Sequence, residues 1–273
     1  MWGITVYVII KKKFYQLFKK PLPKINNFWV DGLGLSARKV KNKPASWQAV
    51  DEIYNYEFHR SKKLGVLVDD FWGNIKNCQA LRNRFKLVKQ EIRRAILRFS
   101  NDHKEVRLIS LACGSAQAVL ETIAELKAKG VIVSAFLIDI DQEALDYAIS
   151  LAYKLDIADK VQVFKGSVSQ VTKLSKKFKP QIIEMLGLLD YIPQKKAIKL
   201  AEKIKQSLEP NGIFITCNIA PNLEMNFVKW VINWSMIYRK PEELLEIAIE
   251  AGFGDFRIIY EPLKIHGLII AQK

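Results

Sequence analysis

The chain is poor in the residues that build covalent or metal-held frameworks. Three cysteines (Cys78, Cys113, Cys217) and three histidines (His59, His103, His266) are scattered through 273 residues. Neither set shows a CxxC or paired-histidine spacing. That excludes a disulfide framework or zinc module as the basis of the fold, and predicts reduced thiols, no metal site and a cytoplasmic location. No apolar run approaches the roughly 20 residues that a membrane-crossing helix needs. The run Met1 to Ile10 is apolar but short, and its positive cluster, Lys11-Lys12-Lys13, follows it, the reverse of a secretory leader. Residues 1–20 mix aromatics with lysines and read as a segment packed on its own domain. A peripheral contact with a membrane surface is the alternative. Internal repeats and low-complexity tracts are absent too.

Acidic residues are scarce in one part only. Residues 1–105 hold 22 Lys/Arg against 9 Asp/Glu, and residues 106–273 hold 21 against 19, so the net +15 divides as +13 and +2. Such an excess attracts nucleic acid, anionic lipid or an anionic substrate, or simply keeps a lysine-rich surface soluble. With 49% hydrophobic residues, the chain can bury a full core. It reads as a basic, mainly helical N-terminal extension or cap over 1–105 and an α/β domain over 106–273.

Turn signals at Pro21-Leu22-Pro23 and Asp31-Gly32-Leu33-Gly34 predict an irregular first forty residues. Ser46 is suited to cap a short helix running to Tyr54. Leu81, Phe85, Val88, Ile92, Ala95, Ile96 and Phe99 recur at helical spacing and predict a helix over 77–99. Its other face carries Arg82, Arg84, Lys86, Lys89, Arg93, Arg94 and Arg98, a solvated face or one for an anionic partner. From Val106, strand patterns (106–112, 132–139, 161–165, 181–187, 212–219) alternate with helical ones (116–129, 142–155, 168–177, 194–208). That order predicts a mostly parallel sheet. A helix over 241–251, with Pro241 at its start and Gly252 past its end, precedes two apolar runs, 256–260 and 265–271. These predict a closing antiparallel pair.

The most informative stretch is Leu108-Ile109-Ser110-Leu111-Ala112-Cys113-Gly114-Ser115-Ala116, with Asp139 placed 25 residues after Gly114. Strand, tight loop, helix, strand and carboxylate in that order suit an adenosine-bearing cofactor on an open α/β sheet. Ala112, Gly114, Ser115 and Ala116 have little bulk, so backbone amides can approach a ligand, and Gly114 can take φ > 0 without steric cost. The N-terminus of the next helix suits a carboxylate. Asp139 can accept from both ribose hydroxyls, each bond contributing about 1.5–3 kcal/mol. Ile140 is placed to cover one face of an adenine, with Ser167 and Val168 at its edge. Taken singly, the small turn can serve only helix–strand packing, and Asp139 can cap the helix starting at Gln142. Their joint occurrence at this separation favours the cofactor. Cys113 has no histidine partner and reads as a small buried thiol.

Further stretches follow in register: Ile138-Asp139-Ile140-Asp141, Phe164-Lys165-Gly166-Ser167-Val168, Ile182 to Tyr191 including Met185, and Leu208-Glu209-Pro210-Asn211-Gly212. Together the five stretches resemble the motifs of the class I S-adenosylmethionine (SAM) dependent methyltransferases over residues 106–273. The resemblance implies a Rossmann-like, seven-stranded, mostly parallel sheet with a closing antiparallel strand pair and helices on both faces. It implies SAM as cofactor and S-adenosylhomocysteine as product. The implied cofactor residues are Ser110, Ala112, Cys113, Gly114, Ser115, Ala116, Asp139, Ile140, Ser167, Val168 and Met185. The chain departs from the pattern in four places. Ser110 stands where the family generally has an acid. Ala112 and Ala116 replace glycines. Ser167 replaces a frequent Asp, and Gln181 another. Alanine in the left-handed region costs roughly 1–2 kcal/mol, so a differently shaped loop or weaker binding is expected.

Methyl transfer from a sulfonium is a direct displacement in which alignment dominates. A base is needed only for a protonated acceptor, so no catalytic residue is assigned. Candidate acceptor contacts are Asp190, Tyr191, Asn218, Trp234, Tyr238 and Arg239. Residues 227–239 carry aromatics at helical spacing. They read as core packing, or as an apolar pocket with Tyr238 and Arg239 at its polar end. An Asn-Pro-Pro-Tyr run is absent after the fourth strand, which disfavours a nucleobase or glutamine amine as acceptor. The leading reading is a SAM-dependent methyltransferase (EC 2.1.1.-) acting on a small-molecule or lipid-like acceptor. The alternatives are an RNA-directed enzyme using the basic N-terminal region, or a SAM-binding protein that is non-catalytic or transfers another SAM-derived group.

Overall fold

The computed structural model describes residues 1–18, 28–59 and 63–273. The Pro21-Leu22-Pro23 turn lies outside them. In chain order the elements are α1 (Trp2–Leu17), a π-helical turn (Phe28–Leu33), α2 (Leu35–Asn42), α3 (Trp47–Tyr54), α4 (Leu64–Gly73) and α5 (Lys76–Ser100). Then come β1 (Val106–Leu111), α6 (Gln117–Lys127), β2 (Val133–Asp139), α7 (Gln142–Lys154), β3 (Val161–Lys165), α8 (Val171–Phe178) and β4 (Ile182–Met185). The chain closes with α9 (Gln194–Ser207), β5 (Ile213–Ile219), α10 (Met225–Trp230), α11 (Pro241–Glu250), β6 (Asp255–Tyr260) and β7 (His266–Gln272).

These elements form two compact units. One holds Met1–Arg82 and Pro221–Met236, the other Asn83–Ala220 and Ile237–Lys273. The division differs from the expected boundary at residue 105, for a packing reason. Val88, Ile92, Ile96 and Phe99 of α5 are buried in one core with β1 and α6. Conversely, Phe227, Val228, Val231, Ile232 and Trp234 are buried with Val40, Ile53, Trp72 and Leu81 in the core of the helical unit.

The second unit contains a seven-stranded sheet in the order β3-β2-β1-β4-β5-β7-β6. The first five strands pair in parallel, and β7 runs antiparallel between β5 and β6. Strand alternation divides the core. Leu108, Ile182, Ile215 and Cys217 face one layer with α5, α6 and α7. Ile109, Leu111, Ile183 and Met185 face the other, with α8, α9 and α11. Both faces of the sheet are covered, which explains why its strands read as nearly continuous apolar runs. The strand order reverses between β1 and β4, the switch point where open α/β sheets bind ligands at the carboxyl ends of their strands.

The helical unit holds a further departure from expectation. The first forty residues are largely helical where described, because the Asp31–Gly34 signal makes only one π-helical turn and the extended entry into α2 at Gly34. In the segment with helical spacing over 227–239, helix α10 ends at Trp230, and residues 233–240 have no regular secondary structure. Asn233 at φ 63 breaks the helical path. The Ser46 cap is present, its Oγ accepting from the Ala49 N–H at 3.2 Å.

Candidate functional site

The loop after β1 joins the end of β2 through one carboxylate. Asp139 Oδ2 accepts from the Gly114 N–H at 2.8 Å, and its Oδ1 accepts from the Asp141 N–H at 2.9 Å. The Asp139 carbonyl accepts from Gly166 N–H at 2.8 Å, tying the β3 exit to the same point. A carboxylate offers about four lone-pair directions, so each Asp139 oxygen can still accept a ligand hydroxyl. The capping role open to Asp139 belongs instead to Asp141, whose side chain accepts from the Glu143 N–H at 3.0 Å.

Ala112 and Ala116 both adopt φ 50, beside Gly114 at φ 53. The loop therefore keeps a glycine-like path at a strain cost instead of changing shape. The Ala112→Gly variant is expected to be more stable by roughly 0.5–1 kcal/mol. Relief of about 1–2 kcal/mol of left-handed strain exceeds the added unfolded-chain entropy of about 0.4–1 kcal/mol. Urea unfolding checks this, and a variant less stable than wild type refutes it. Helix α6 opens on Ala116 with no side-chain cap. Its first-turn amides and positive end suit a ligand carboxylate.

Ile140 is 74% exposed, an unusual position for a large apolar side chain unless something covers it. Ser167 is engaged locally, its hydroxyl accepting from the Ser169 N–H at 3.3 Å in a capping box with Gln170. Val168 packs on the core beneath. The Met185 side chain is buried, 1% exposed, among Ile109, Ile183 and Phe214. Cys113 is half-buried rather than fully buried, and its thiol is pushed well above its ordinary pKa by desolvation and by the nearby Asp139 and Glu184 charges.

Ser110 pairs in register with Glu184 of β4 and donates its hydroxyl to Glu184 Oε2 at 2.5 Å. An acid is thus present beside the position where the resemblance expects one, on the neighbouring strand. Glu184 is 3% exposed, and desolvation pushes its pKa up to about 7 against the stabilising Ser110 bond and Arg84 charge. Arg84 itself is 3% exposed and donates from Nη1 to Cys217 Sγ at 3.8 Å. Its charge also acts on Asp190 and on His266.

His266 is buried opposite Ile219 at the carboxyl end of β5. Desolvation, with Arg84 adding to it, holds the imidazole well below its ordinary pKa, so it is neutral at pH 7. Among the described residues its Nδ1 and the Tyr238 hydroxyl have no hydrogen-bond partner. The sequence alone assigns no site role to Glu184, Arg84 or His266. The available signal was Glu184, a lone acid inside the apolar run Ile182–Leu186.

The acceptor candidates divide. Asp190, Asn218 and Arg239 form one buried network: Asp190 Oδ1 accepts from the Ile219 N–H at 2.9 Å, and Arg239 donates to Leu189 O at 2.7 Å, Gln194 Oε1 at 2.7 Å, and Asn218 and Ile192 O. Desolvation raises Asp190 to about 6. Arg239 is therefore committed to protein acceptors rather than to the polar end of a pocket. Tyr191 is 37% exposed beside them. Trp234 is buried in the core of the helical unit, which is the packing reading of its segment.

The basic face of α5 is mostly paired within the chain. Lys89 meets Glu121 at 2.5 Å and Glu125 at 2.9 Å, Arg93 meets Glu125, and Arg94 meets Glu91 at 2.5 Å. Arg82 donates to Gly73 O at 2.6 Å and Arg98 to Gln272 at 3.0 Å. Among the described residues, no acidic, His or Cys cluster could hold a metal, and no helix is long and apolar enough to cross a membrane.

A family model described as "Putative methyltransferase" matches residues 6–273. Comparison with curated proteins gives no match. Among solved structures, a "possible exported protein" from Bordetella parapertussis superposes with a TM-score of 0.72 at 16% identity, covering 98% of this chain and 95% of that one. Magnesium protoporphyrin IX methyltransferase from Synechocystis PCC 6803 with bound SAM gives 0.53 at 12% identity, covering 73% and 84%. An O-methyltransferase family 2 protein from Planctomyces limnophilus in complex with apigenin gives 0.51 at 16%, covering 77% and 69%.

Proposed function

Because the chain belongs to the methyltransferase family matched over residues 6–273 and has the class I SAM-dependent methyltransferase fold, we propose that it methylates a small-molecule or lipid-like acceptor with SAM. The observation that carries the cofactor reading is the Gly114–Asp139 bond, which holds a left-handed small-residue loop against a ribose-type carboxylate. The donor set fits the cofactor. Asp139 suits a diol, the uncapped start of α6 suits a carboxylate, and the exposed Ile140 suits an aromatic ring. When bound, SAM supplies a methyl group activated on a sulfonium. The chain's residues then bind, orient and exclude water.

Glu184 takes the place that Ser110 leaves without an acid. A ligand carrying a sulfonium and an ammonium favours a nearby carboxylate in its charged form. Glu184 titrates near about 7 and its shift comes first from desolvation, so cofactor binding at lower pH must release its proton. Affinity for SAM is expected to rise up to about fivefold from pH 6 to 7 and about twofold more above it, while Glu184→Gln binds with a flat profile. Calorimetry across that range checks it, and a flat wild-type profile removes Glu184 from this role.

On the acceptor side, the neutral His266 and the Tyr238 hydroxyl supply polar atoms at the carboxyl ends of the strands. The unpartnered Nδ1 of the neutral imidazole and the Tyr238 hydroxyl can hydrogen-bond a polar acceptor. The apigenin-bound neighbour supports a small-molecule acceptor. The pairing of the α5 cations with Glu91, Glu121 and Glu125 counts against an RNA substrate. The test is incubation of the protein with methyl-labelled SAM and cell extract. Label in an organic-soluble, ribonuclease-resistant fraction is expected. Label in RNA replaces this reading, and SAM binding without any labelled product makes the protein a non-catalytic binder.

A further inference from the structure

We infer that helix α1 lays its outward face on an anionic lipid surface, which makes the protein peripheral to a membrane. The inference is independent of methyl transfer. Helix α1 is amphipathic in an inverted sense. Its inward side holds Thr5, Val8 and Lys12, the buried residues of the helix. Lys12 Nζ donates to Asn233 Oδ1 at 2.8 Å and to Trp230 O at 3.1 Å, which fixes the helix's rotation within its unit. The outward side presents Trp2 at 80% exposure, Ile10 at 64%, Phe14 at 60% and Leu17 at 77%, with Val6 and Tyr7 beside them.

At 3.6 residues per turn these side chains fill an arc of about 140° on one side of the helix. Lys13 lies within the arc near its Trp2 edge, and Lys11 lies about 40° beyond its Tyr7 edge. Soluble proteins rarely leave so continuous an apolar strip uncovered without a partner.

Charge decides the occupant. Residues 1–20 contain five lysines and no acidic residue. In a two-fold dimer through this face, the same acid-free segment would meet itself, cation against cation. RNA bases can stack on an aromatic ring such as Phe14, but RNA offers nothing to bury the aliphatic Ile10 and Leu17. An anionic lipid layer satisfies both features at once, with aromatics and aliphatics at the acyl boundary and lysines among the headgroups. The helix has 16 residues, too few to cross a bilayer and suited to lying in its plane.

The test is flotation of the full chain with phosphatidylcholine vesicles, with and without phosphatidylglycerol. Wild type is expected to bind the phosphatidylglycerol vesicles at least about tenfold more strongly than the neutral ones. Binding should shift Trp2 emission to the blue, a shift absent from Trp2→Phe. The Ile10→Asp, Phe14→Asp double variant should lose at least about tenfold in affinity. Both positions are exposed, so the variant should fold, with circular dichroism as the control. Lys11→Gln with Lys13→Gln should lose the preference for phosphatidylglycerol while retaining weak binding. Four results overturn the inference: no vesicle binding, equal binding by the double variant, a lipid-free dimer that the double variant abolishes, or binding to an RNA oligonucleotide but not to vesicles.

Discussion

Asp139→Ala is expected to lower SAM affinity at least about 100-fold, measured by calorimetry beside wild type. Two effects combine. The variant removes the proposed acceptor of two ribose hydroxyls, each bond to a charged group contributing about 1.5–3 kcal/mol. It also frees the Gly114 and Asp141 amides that Asp139 now binds at 2.8 Å and 2.9 Å, so the loop after β1 loses its tie to β2. Asp139→Asn separates the two effects. The amide oxygen can retain one backbone bond, while the charge and one acceptor are gone. An intermediate loss of about tenfold is expected for it. Unchanged affinity in Asp139→Ala, with wild-type circular dichroism, would place the cofactor elsewhere.

Arg239→Met is expected to destabilise the fold by about 3–5 kcal/mol, the range for removing one partner of a buried charged network. Arg239 is 2% exposed and donates to two main-chain carbonyls, Leu189 and Ile192, and to the side chains of Asn218 and Gln194. Methionine fills the space but leaves these acceptors unpaired and removes a charge that favours ionised Asp190. Arg239→Lys keeps the charge without the planar fork and should recover only part of the loss. Urea unfolding measures both. A cost below about 1 kcal/mol for Arg239→Met would mean that water replaces the guanidinium without penalty.

Much of the α/β unit was legible along the chain because its signals are local. Apolar runs of strand length alternate with helical periodicity from Val106 onward, and the observed strands fall within a residue or two of the expected ones. The Gly114–Asp139 pairing was legible for the same reason. A strand, loop, helix and strand of fixed lengths return the chain to its neighbour, so the separation alone brings the two residues together. Segment 1–18 forms a helix where an irregular start was expected, because the turn signals that follow it do not reach into it, whereas the core-packing reading of 227–239 holds. Apolar residues at helical spacing in 227–238 report burial without requiring helix, and Asn233 ends it in a left-handed turn.

The sequence by itself determined the parallel sheet, its closing antiparallel pair and the small-residue loop with its carboxylate. Each of these depends on spacing within one or two consecutive elements. Only the tertiary structure decided the rest. Ser110 and Glu184 lie 74 residues apart and meet because β4 pairs with β1, so the acid moves across one strand. Arg84 looks like its solvated neighbours on α5 until its side turns out to face Cys217. Strand alternation points Met185 into the core. The apolar strip on α1 looks like core until Val8 and Lys12 take the inward side. Periodicity in a chain tells which residues share a face, while the neighbour that covers that face is set by long-range packing.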